Sequence, residues 1–328
     1  MPVLPGHLPE SIAAAARALA AGELVAFPTE TVYGLGARAD DDAAVARVFQ
    51  AKGRPADHPL IVHVAAAEDA PAFAAQWPDA ARRLTARFWP GPLTVIVPRR
   101  PGMGGAAAGS QDSIGLRCPA HPVARSLLDA AARLGVAGVA APSANRFGRI
   151  SPTSAAHVVG EFGADLLVLD GGDCPVGIES AIVDCTRGTP ALLRPGMLDR
   201  PTLEAALGAA LRAPDAHAPR ASGTLESHYA PRATLRLMDA TMLRTAVGML
   251  PSQGVHPVAV YSRTFAPAAR STRAARRMPD DPQAAAHELF AVLRELDATG
   301  ASLIWVETPP DTPAWEGVRD RLRRAAAA

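Results

Sequence analysis

The fold class is decided by residues 23–36, which read ELVAFPTETVYGLG. The apolar run at 23–27 stops at Pro28, which is typical of a buried strand followed by a turn. The turn offers threonine and tyrosine hydroxyls beside glycines, where a small polar ligand can approach the backbone. An ordinary connection between a strand and a helix, with Asp41 and Asp42 capping that helix, explains the same residues equally well.

Outward from this stretch, short apolar runs alternate irregularly with helical patterns. The runs that predict strands lie at residues 60–64, 93–97, 114–117, 138–141, 166–169, 181–183 and 191–194. The patterns that predict helices lie at residues 9–21, 41–50, 79–88, 122–134 and 153–161. Strands that alternate with helices without a strict period predict an α/β fold that is not doubly wound.

The length of 328 residues predicts about two domains. Residues 212–232 are rich in Pro, Ala, Ser and His and lack periodicity, which indicates a linker. Beyond it, strand patterns lie at 235–237, 258–261 and 303–307, and helix patterns at 243–250, 284–298 and 315–326. We therefore expect a first domain at 1–208, a linker at 209–234 and a small βαβ domain at 235–328.

The composition excludes several classes of protein. Hydrophobic residues make up 48% of the chain, so most of it is not disordered. The net charge of +1 excludes the overall basic field of a nucleic-acid coat protein. Three cysteines without CxxC spacing argue against a disulfide scaffold and a zinc site, and no protein-held metal is expected. Without a signal-peptide pattern or an apolar run of about 18 residues, a cytoplasmic protein with no membrane segment is expected.

Lys52 is the only lysine among 33 Lys and Arg residues. A site that keeps its lysine against this bias is expected to need a compact ammonium, which a planar guanidinium does not replace. Lys52 and Arg54 lie one residue apart on a loop stiffened by Pro55, an arrangement that suits phosphate oxygens. The loop is not a Walker A motif. Chance survival of one lysine in a solvated turn is the alternative.

Other polar residues lie near strand ends of the predicted first domain. His63 falls within one strand pattern and Arg117 ends another, although a half-buried structural histidine and an arginine that caps a sheet edge explain them equally. Ser143 and Asn145 follow a further strand, where ligands of α/β sheets collect. Arg194 ends the last strand of this domain. Together these residues predict a cationic pocket for a nucleotide or another phosphorylated ligand, without naming a reaction.

Several short motifs occur here in the order of a known family. They are PTETVYGLG, KGRP followed by HPLIVHV, GLRCP, PSAN with RISPT behind it, GIESAIVD and LRPG, with HYAP at 228–231. As an ordered set they cover almost the whole chain, which is similar to the YrdC-like family in the long two-domain form of threonylcarbamoyl-AMP synthases. The resemblance implies a twisted mixed sheet with helices, followed by a small Rossmann-like domain.

The resemblance implies a nucleotidyltransferase. Members of this family condense L-threonine, bicarbonate and ATP into threonylcarbamoyl-adenylate and release pyrophosphate. A partner complex then transfers the threonylcarbamoyl group to the adenosine next to the anticodon of tRNAs that read ANN codons. The implied ligands are therefore threonine, bicarbonate and ATP with Mg²⁺, and the implied partner is that tRNA-modifying complex, with a weak direct contact to tRNA at most.

The resemblance also implies residue roles. Lys52 and Arg54 match the family's KxR pair, the catalytic cations that hold the triphosphate. The other residues that it places around the nucleotide are His58, Ser113, Ser143, Asn145, Ser151, Arg194 and Tyr229. The residues that it places around threonine are Thr31, His63, Arg117, Ala141 and Ser180. Tyr229 would close over the site as part of a lid, although ASGTLES at 221–227 and PAWEGVRDRL at 313–322 depart from the family pattern.

Two alternatives stay open. The cationic pocket would hold RNA without turnover if the chain were a binding module, helped by Arg263, Arg270, Arg273, Arg276 and Arg277. A solvated loop explains those arginines as well, and aromatic residues for base stacking make up only 5% of the chain. The carbamoyl transfer of hydrogenase-maturation proteins comes last, because these residues do not resemble the zinc-finger and acylphosphatase segments that accompany it.

Overall fold

The structure is a computed structural model that describes residues 3–251, 257–266 and 272–327. The chain divides into two compact units. The first consists of Met1–Phe147 and Ser151–Thr224, and the second of Gly148–Ile150 and Leu225–Ala328. The residues of the predicted linker are therefore shared between the two units.

The described part of the first unit contains a ten-stranded mixed sheet. In chain order its strands are β1 (Val3–Pro5), β2 (Val25–Phe27), β3 (Gly34–Arg38), β4 (Ile61–His63), β5 (Leu93–Pro98), β6 (Ser113–Arg117), β7 (Val139–Ala140), β8 (Leu167–Asp170), β9 (Ala181–Asp184) and β10 (Ala191–Arg194). Side by side they lie in the order β1-β8-β2-β3-β7-β4-β6-β5-β9-β10. The helices are α1 (Pro9–Ala20), α2 (Asp42–Lys52), α3 (Asp79–Phe88), α4 (Pro122–Arg133), α5 (Ala155–Phe162) and α6 (Arg200–Leu207). The predicted α/β fold is confirmed.

Alternate residues of the short strands pack into different clusters, as the two-residue period of a strand requires. Val25 and Phe27 of β2 pack with Leu19 of α1 and Leu127 of α4. Ala26 between them belongs to the larger cluster, in which the helix α2 packs. The sheet is therefore covered by helices on both faces.

The stretch PTETVY connects β2 to a second strand. β2 and β3 pair antiparallel, with Phe27 opposite Gly34, so the alternative of a direct strand-to-helix connection is wrong, although Asp41 does cap the next helix. The sequence patterns do not predict β3, because two of its five residues are glycines. The structure shows why a glycine is needed at position 36: a Cβ there would lie 2.8 Å from both Phe27 Cε1 and Val139 Cγ1. The glycine lets β2, β3 and β7 pack closely.

The described part of the second unit contains a four-stranded parallel sheet in the order β11-β14-β12-β13. The strands are β11 (Thr234–Met238), β12 (Val258–Ser262), β13 (Ala274–Arg277) and β14 (Leu303–Glu307). The helices are α7 (Ala240–Gly248), α8 (Pro282–Ala298) and α9 (Glu316–Ala326). The expected small α/β unit is present, but β13 replaces part of the loop expected before residue 277. Arg270 lies outside the described residues.

The sequence patterns also do not predict β1 and α6, which are three and eight residues long.

Residues 212–224, which belong to the predicted linker, form hydrogen bonds with other residues of the first unit. The Arg212 N–H donates to the Pro190 carbonyl at 3.0 Å, and Arg220 exchanges two hydrogen bonds with Gln111. Within the described ranges, no helix combines the length and the apolar composition that a membrane crossing needs.

Candidate active site

The position of the two motif cations follows from the ends of α2. The Asp41 carboxylate caps its first turn by accepting from the backbone N–H groups of Ala43 and Ala44. Gly53 ends it in the left-handed conformation, with φ of 64°, which a glycine adopts without strain. Lys52 is thus the last helical residue, and Arg54 begins the following loop.

Lys52 is 2% exposed, and its ammonium joins two loops. Nζ donates to the backbone carbonyl of Ser143 at 2.5 Å and to that of Asn145. Burial, followed by repulsion from the Arg54 guanidinium, holds the pKa of Lys52 well below its usual range. The two carbonyls enclose a compact ammonium closely, which agrees with the expectation that a guanidinium would not replace it.

The loop PSAN is held against the strand β3. The Leu35 N–H donates to the Pro142 carbonyl and the Ala144 N–H to the Tyr33 carbonyl, each at 2.8 Å. Ser143 forms a bridge with Gly34. Backbone bonds therefore fix the carbonyls that receive Lys52, which keeps the KGRP and PSAN motifs together.

Arg54 and Arg194 are both buried and meet the same residue, Ser222. Arg194 ends β10 and donates to the carbonyls of Ser180 and Ser222, at 3.0 Å and 2.8 Å. Arg54 donates to the Pro59 carbonyl at 2.9 Å and to Ser222 Oγ at 3.5 Å. The two guanidiniums thus converge on one residue, and a pair of buried cations this close together suits an anionic ligand. We call Lys52, Arg54 and Arg194 the cationic group.

His63 and Arg117 are partners across parallel strands. His63 ends β4 and Arg117 ends β6, and the two are in register. Burial, together with the Arg117 charge, lowers the pKa of His63 to about 3, so its imidazole is neutral near pH 7. Both side chains are buried, and His63 Nδ1 has no hydrogen-bond partner among the described residues.

Thr31 is fully buried, and its hydroxyl has a fixed role. Thr29 Oγ1 donates its proton to the Val32 carbonyl at 2.7 Å. The contact of 2.9 Å between the two threonine hydroxyls therefore has Thr31 as its donor. The lone pairs of Thr31 Oγ1 remain to accept a hydrogen bond, which suits an N–H or O–H group of a ligand.

The structure places the remaining candidates as follows. Ser180 lies with the cationic group, because Arg194 donates to it and its hydroxyl is 2.8 Å from Thr94 Oγ1. The Ser151 hydroxyl donates to Glu179 at 2.5 Å. The Ala141 N–H is used within the sheet, donating to the Ile61 carbonyl at 2.9 Å.

Three more candidates make contacts of their own. His58 packs edge-on against Phe147, with ring centroids 5.4 Å apart, and burial lowers its pKa. Ser113 lines a small cavity that Thr94 and Ser222 also line. Tyr229 belongs to the second unit, where its ring packs on Phe290 at 5.3 Å and lies under the Arg321 guanidinium.

Sequence reasoning missed Glu30 and Glu179. Both are buried carboxylates of the first unit, and each contacts a predicted site residue. Glu30 lies 2.7 Å from Arg117, and Glu179 receives Ser151. It also missed the hydroxyl of Thr94, which lies 2.8 Å from Ser180 Oγ. One sequence feature could have indicated the two carboxylates: each is an acidic residue within an otherwise apolar or hydroxyl-rich turn. A carboxylate that is buried in such a turn needs a polar or charged partner.

This arrangement brings two kinds of binding group together on one sheet. The cationic group and the PSAN loop suit a polyanion, and Arg117, His63 and Thr31 suit a small polar molecule with a carboxylate. Among the described residues, no three His, Cys, Asp or Glu side chains are grouped so that they could hold a metal ion. The chemistry that fits is a reaction of a small acid with a phosphorylated compound.

Comparison with known proteins identifies the family. The family profile described as "Telomere recombination", which groups Sua5, YciO and YrdC proteins, matches residues 17–196. The profile described as "Threonylcarbamoyl-AMP synthase, C-terminal domain" matches residues 198–327. The threonylcarbamoyl-AMP synthase of Pyrococcus abyssi is 36% identical, with 93% of this chain and 91% of that protein covered. That of Bacillus subtilis is 34% identical, with 96% and 92% covered.

A solved structure agrees with this match. The crystal structure of Sua5 from P. abyssi complexed with L-threonine superposes with a TM-score of 0.87 at 36% identity. It covers 97% of this chain and 95% of that one. Both profiles, the relatives and the fold thus agree over the whole length, and this chain belongs to the two-domain family of threonylcarbamoyl-AMP synthases.

Proposed function

We propose that this chain synthesises L-threonylcarbamoyl-adenylate from L-threonine, bicarbonate and ATP and releases pyrophosphate. The observation that carries the proposal is the cationic group. Lys52 contacts the PSAN loop, and the buried Arg54 and Arg194 meet at Ser222, in the unit that also holds Arg117 and Thr31. Adenylation of a carboxylate needs both halves, because two anions must meet and a third must leave.

The reaction is written in two balanced steps. The threonine ammonium group first loses a proton, and the resulting amine combines with bicarbonate to a carbamate with loss of water. A carbamate oxygen then attacks the α-phosphorus of ATP, and the bond from this phosphorus to the pyrophosphate oxygen breaks. Neither step needs a covalent bond to the protein, so the chain contributes positioning and positive charge.

We assign the nucleotide to the cationic group. Lys52 and Arg54 face the triphosphate and offset the charge that develops on the leaving pyrophosphate. Arg194, Ser143 and Asn145 support the same phosphates. The remaining nucleotide contacts that we propose are His58, Ser113, Ser151 and Tyr229.

We assign threonine to the side that carries Arg117. The guanidinium pairs with the carboxylate of the amino acid, and Thr31 Oγ1 accepts a hydrogen bond from the amino or hydroxyl group of threonine. Neutral His63 contributes one hydrogen-bond donor and one acceptor and no charge. Ser180 and the backbone at Ala141 complete this pocket.

Mg²⁺ enters this scheme as the counter-ion of ATP. Magnesium keeps several waters and is held chiefly by phosphates with few protein ligands, so it does not require a group of three acidic, histidine or cysteine side chains, and the described residues contain none. We place the reaction in the cytoplasm as a step of tRNA processing. A tRNA threonylcarbamoyl-transfer complex would consume the product.

Pyrophosphate release from ATP by the purified protein tests the proposal, with threonine and bicarbonate omitted in turn. Release that requires both supports the synthase. Release that is independent of threonine indicates an ATPase or another acceptor. If folded protein releases no pyrophosphate with Mg²⁺ and every substrate present, the proposal fails, and salt-dependent RNA binding without turnover would support the alternative of a binding module.

A further inference from the structure

Glu30 is a buried acid that the proposed reaction does not use directly. It lies in the loop between β2 and β3 and is 6% exposed. Its Oε1 is 2.7 Å from an Nη of Arg117, 87 residues further along the chain. Its Oε2 accepts the backbone N–H of Ala120 at 3.0 Å. The carboxylate is thus held by a hydrogen bond at Oε2 and by a close ion pair at Oε1.

Arg117 has only this one charged partner among the described ion pairs of the first unit. Its neighbour in register, His63, is neutral near pH 7. The Nε of Arg117 is buried and has no hydrogen-bond partner among the described residues. A buried N–H without an acceptor is costly, and a carboxylate oxygen of a ligand would satisfy it.

We propose that Glu30 is a positioning residue that holds Arg117 in place as the receptor for the carboxylate of the amino-acid substrate. This inference rests on the proposed function, in which Arg117 binds threonine. Glu30 engages one end of the guanidinium and leaves the rest of the fork for the ligand. It also offsets the charge of Arg117 when no ligand is bound, so the guanidinium stays buried instead of turning toward water.

The substitution Glu30→Gln tests this role with almost no change of volume. An amide has one oxygen, but Glu30 meets a donor on each side, Arg117 and the Ala120 N–H. Whichever way the amide turns, one donor faces its NH₂ group. We expect the dissociation constant for L-threonine, measured by calorimetry, to rise roughly ten- to a hundredfold, the range for one lost bond to a charged group.

Three measurements separate positioning from general damage. L-threoninamide lacks the carboxylate, so Glu30→Gln should weaken its binding by less than about twofold. The KM for ATP and kcat should change equally little, since Glu30 acts only on threonine. Glu30→Asp keeps the charge on a shorter side chain. It should therefore bind L-threonine more tightly than Glu30→Gln does, and it provides a second variant if Glu30→Gln does not fold.

Asp184→Asn is the matched control. Asp184 is a buried carboxylate of the same unit, holding Arg187 and Thr186 at the end of β9. Its variant should lose stability without a change in threonine affinity.

Unchanged threonine affinity in folded Glu30→Gln overturns the inference, and so does an equal loss of affinity for threonine and threoninamide. Because calorimetry measures binding without turnover, these outcomes are independent of pyrophosphate release. If the wild-type protein binds threonine but releases no pyrophosphate, the proposed function fails and the assignment of Glu30 is still decided.

Discussion

Lys52 and Arg117 are both buried cations of the first unit, yet the protein holds them in opposite ways. Arg117 lies 2.7 Å from the Glu30 carboxylate, so its charge is largely balanced. Lys52 donates to two neutral carbonyls, and the repulsion from Arg54 outweighs the attraction from either Glu161 or Glu179. The consequence is visible in the pKa of Lys52, which burial and this repulsion lower well below its usual range.

The difference between them matches the two ligands. A polyanion such as a triphosphate brings several negative charges and stabilises an ammonium that burial and Arg54 destabilise in the free protein. An amino acid carries both charges and little net charge, so its receptor needs direction more than excess charge. Lys52 is therefore the cation whose removal should affect catalysis most, and Arg117 the one whose geometry matters most.

The largest effect is expected from Lys52→Ala. Without the ammonium, the pyrophosphate leaves with less charge stabilisation, and we expect kcat for pyrophosphate release to fall by about 10²–10³. Circular dichroism and thermal unfolding should show that the variant is still folded. Pyrophosphate release at the wild-type rate would remove Lys52 from the catalytic group.

A smaller effect is expected from Lys52→Arg, which keeps the charge and changes only its shape. The planar fork is too wide for a position where two carbonyls enclose Nζ, so kcat/KM should fall at least about tenfold. Wild-type activity in this variant would show that the ammonium is dispensable, and the single lysine of the chain would then have no functional reason.

How much of the candidate site the sequence predicts depends on how far apart along the chain the interacting residues are. Lys52 and Arg54 lie one residue apart, at the end of α2 and the start of the following loop, so their spacing alone predicts a phosphate clamp. Glu30 and Arg117 are 87 residues apart and meet only because β2 and β6 belong to one sheet. Single-sequence patterns carry no pairing information of this kind, and the carboxylate is therefore missed.

The same limit applies to the fold. Apolar, β-branched runs such as 93–97 predict their strands well, because burial on both faces selects those residues. β3 and β13 depend on what lies beside them. Gly36 is required by Phe27 and Val139, and β13 pairs with β12 as an arginine-rich edge strand. Their own residues resemble loops.

The pH dependence of ATP binding should distinguish the two cations. In the free protein the pKa of Lys52 is lowered, and a bound triphosphate favours the protonated form. ATP affinity should therefore fall as pH rises through the lowered pKa, by up to about tenfold per pH unit.

The control is Lys52→Arg, because a guanidinium stays protonated over the same range. Its ATP affinity, although weaker, should not show this fall. An equal decline in both proteins, measured by calorimetry, would assign the titration to another group.

The smallest effect is expected in the second unit, from Arg276→Ala. Arg276 pairs with Glu295, and both side chains are about half exposed, at 48% and 49%. Exposed pairs contribute little, so the free energy of unfolding should change by less than about 1 kcal/mol and pyrophosphate release should not change.

RNA binding is the second property that this variant tests. The neighbouring Arg263 and Arg277 are likewise paired, both with Asp280. Because these arginines already have acidic partners, we expect RNA affinity at low salt to be the same in Arg276→Ala as in the wild-type protein. If Arg276→Ala lowered the RNA affinity several-fold and Glu295→Gln raised it, this edge of the sheet would instead be a nucleic-acid surface.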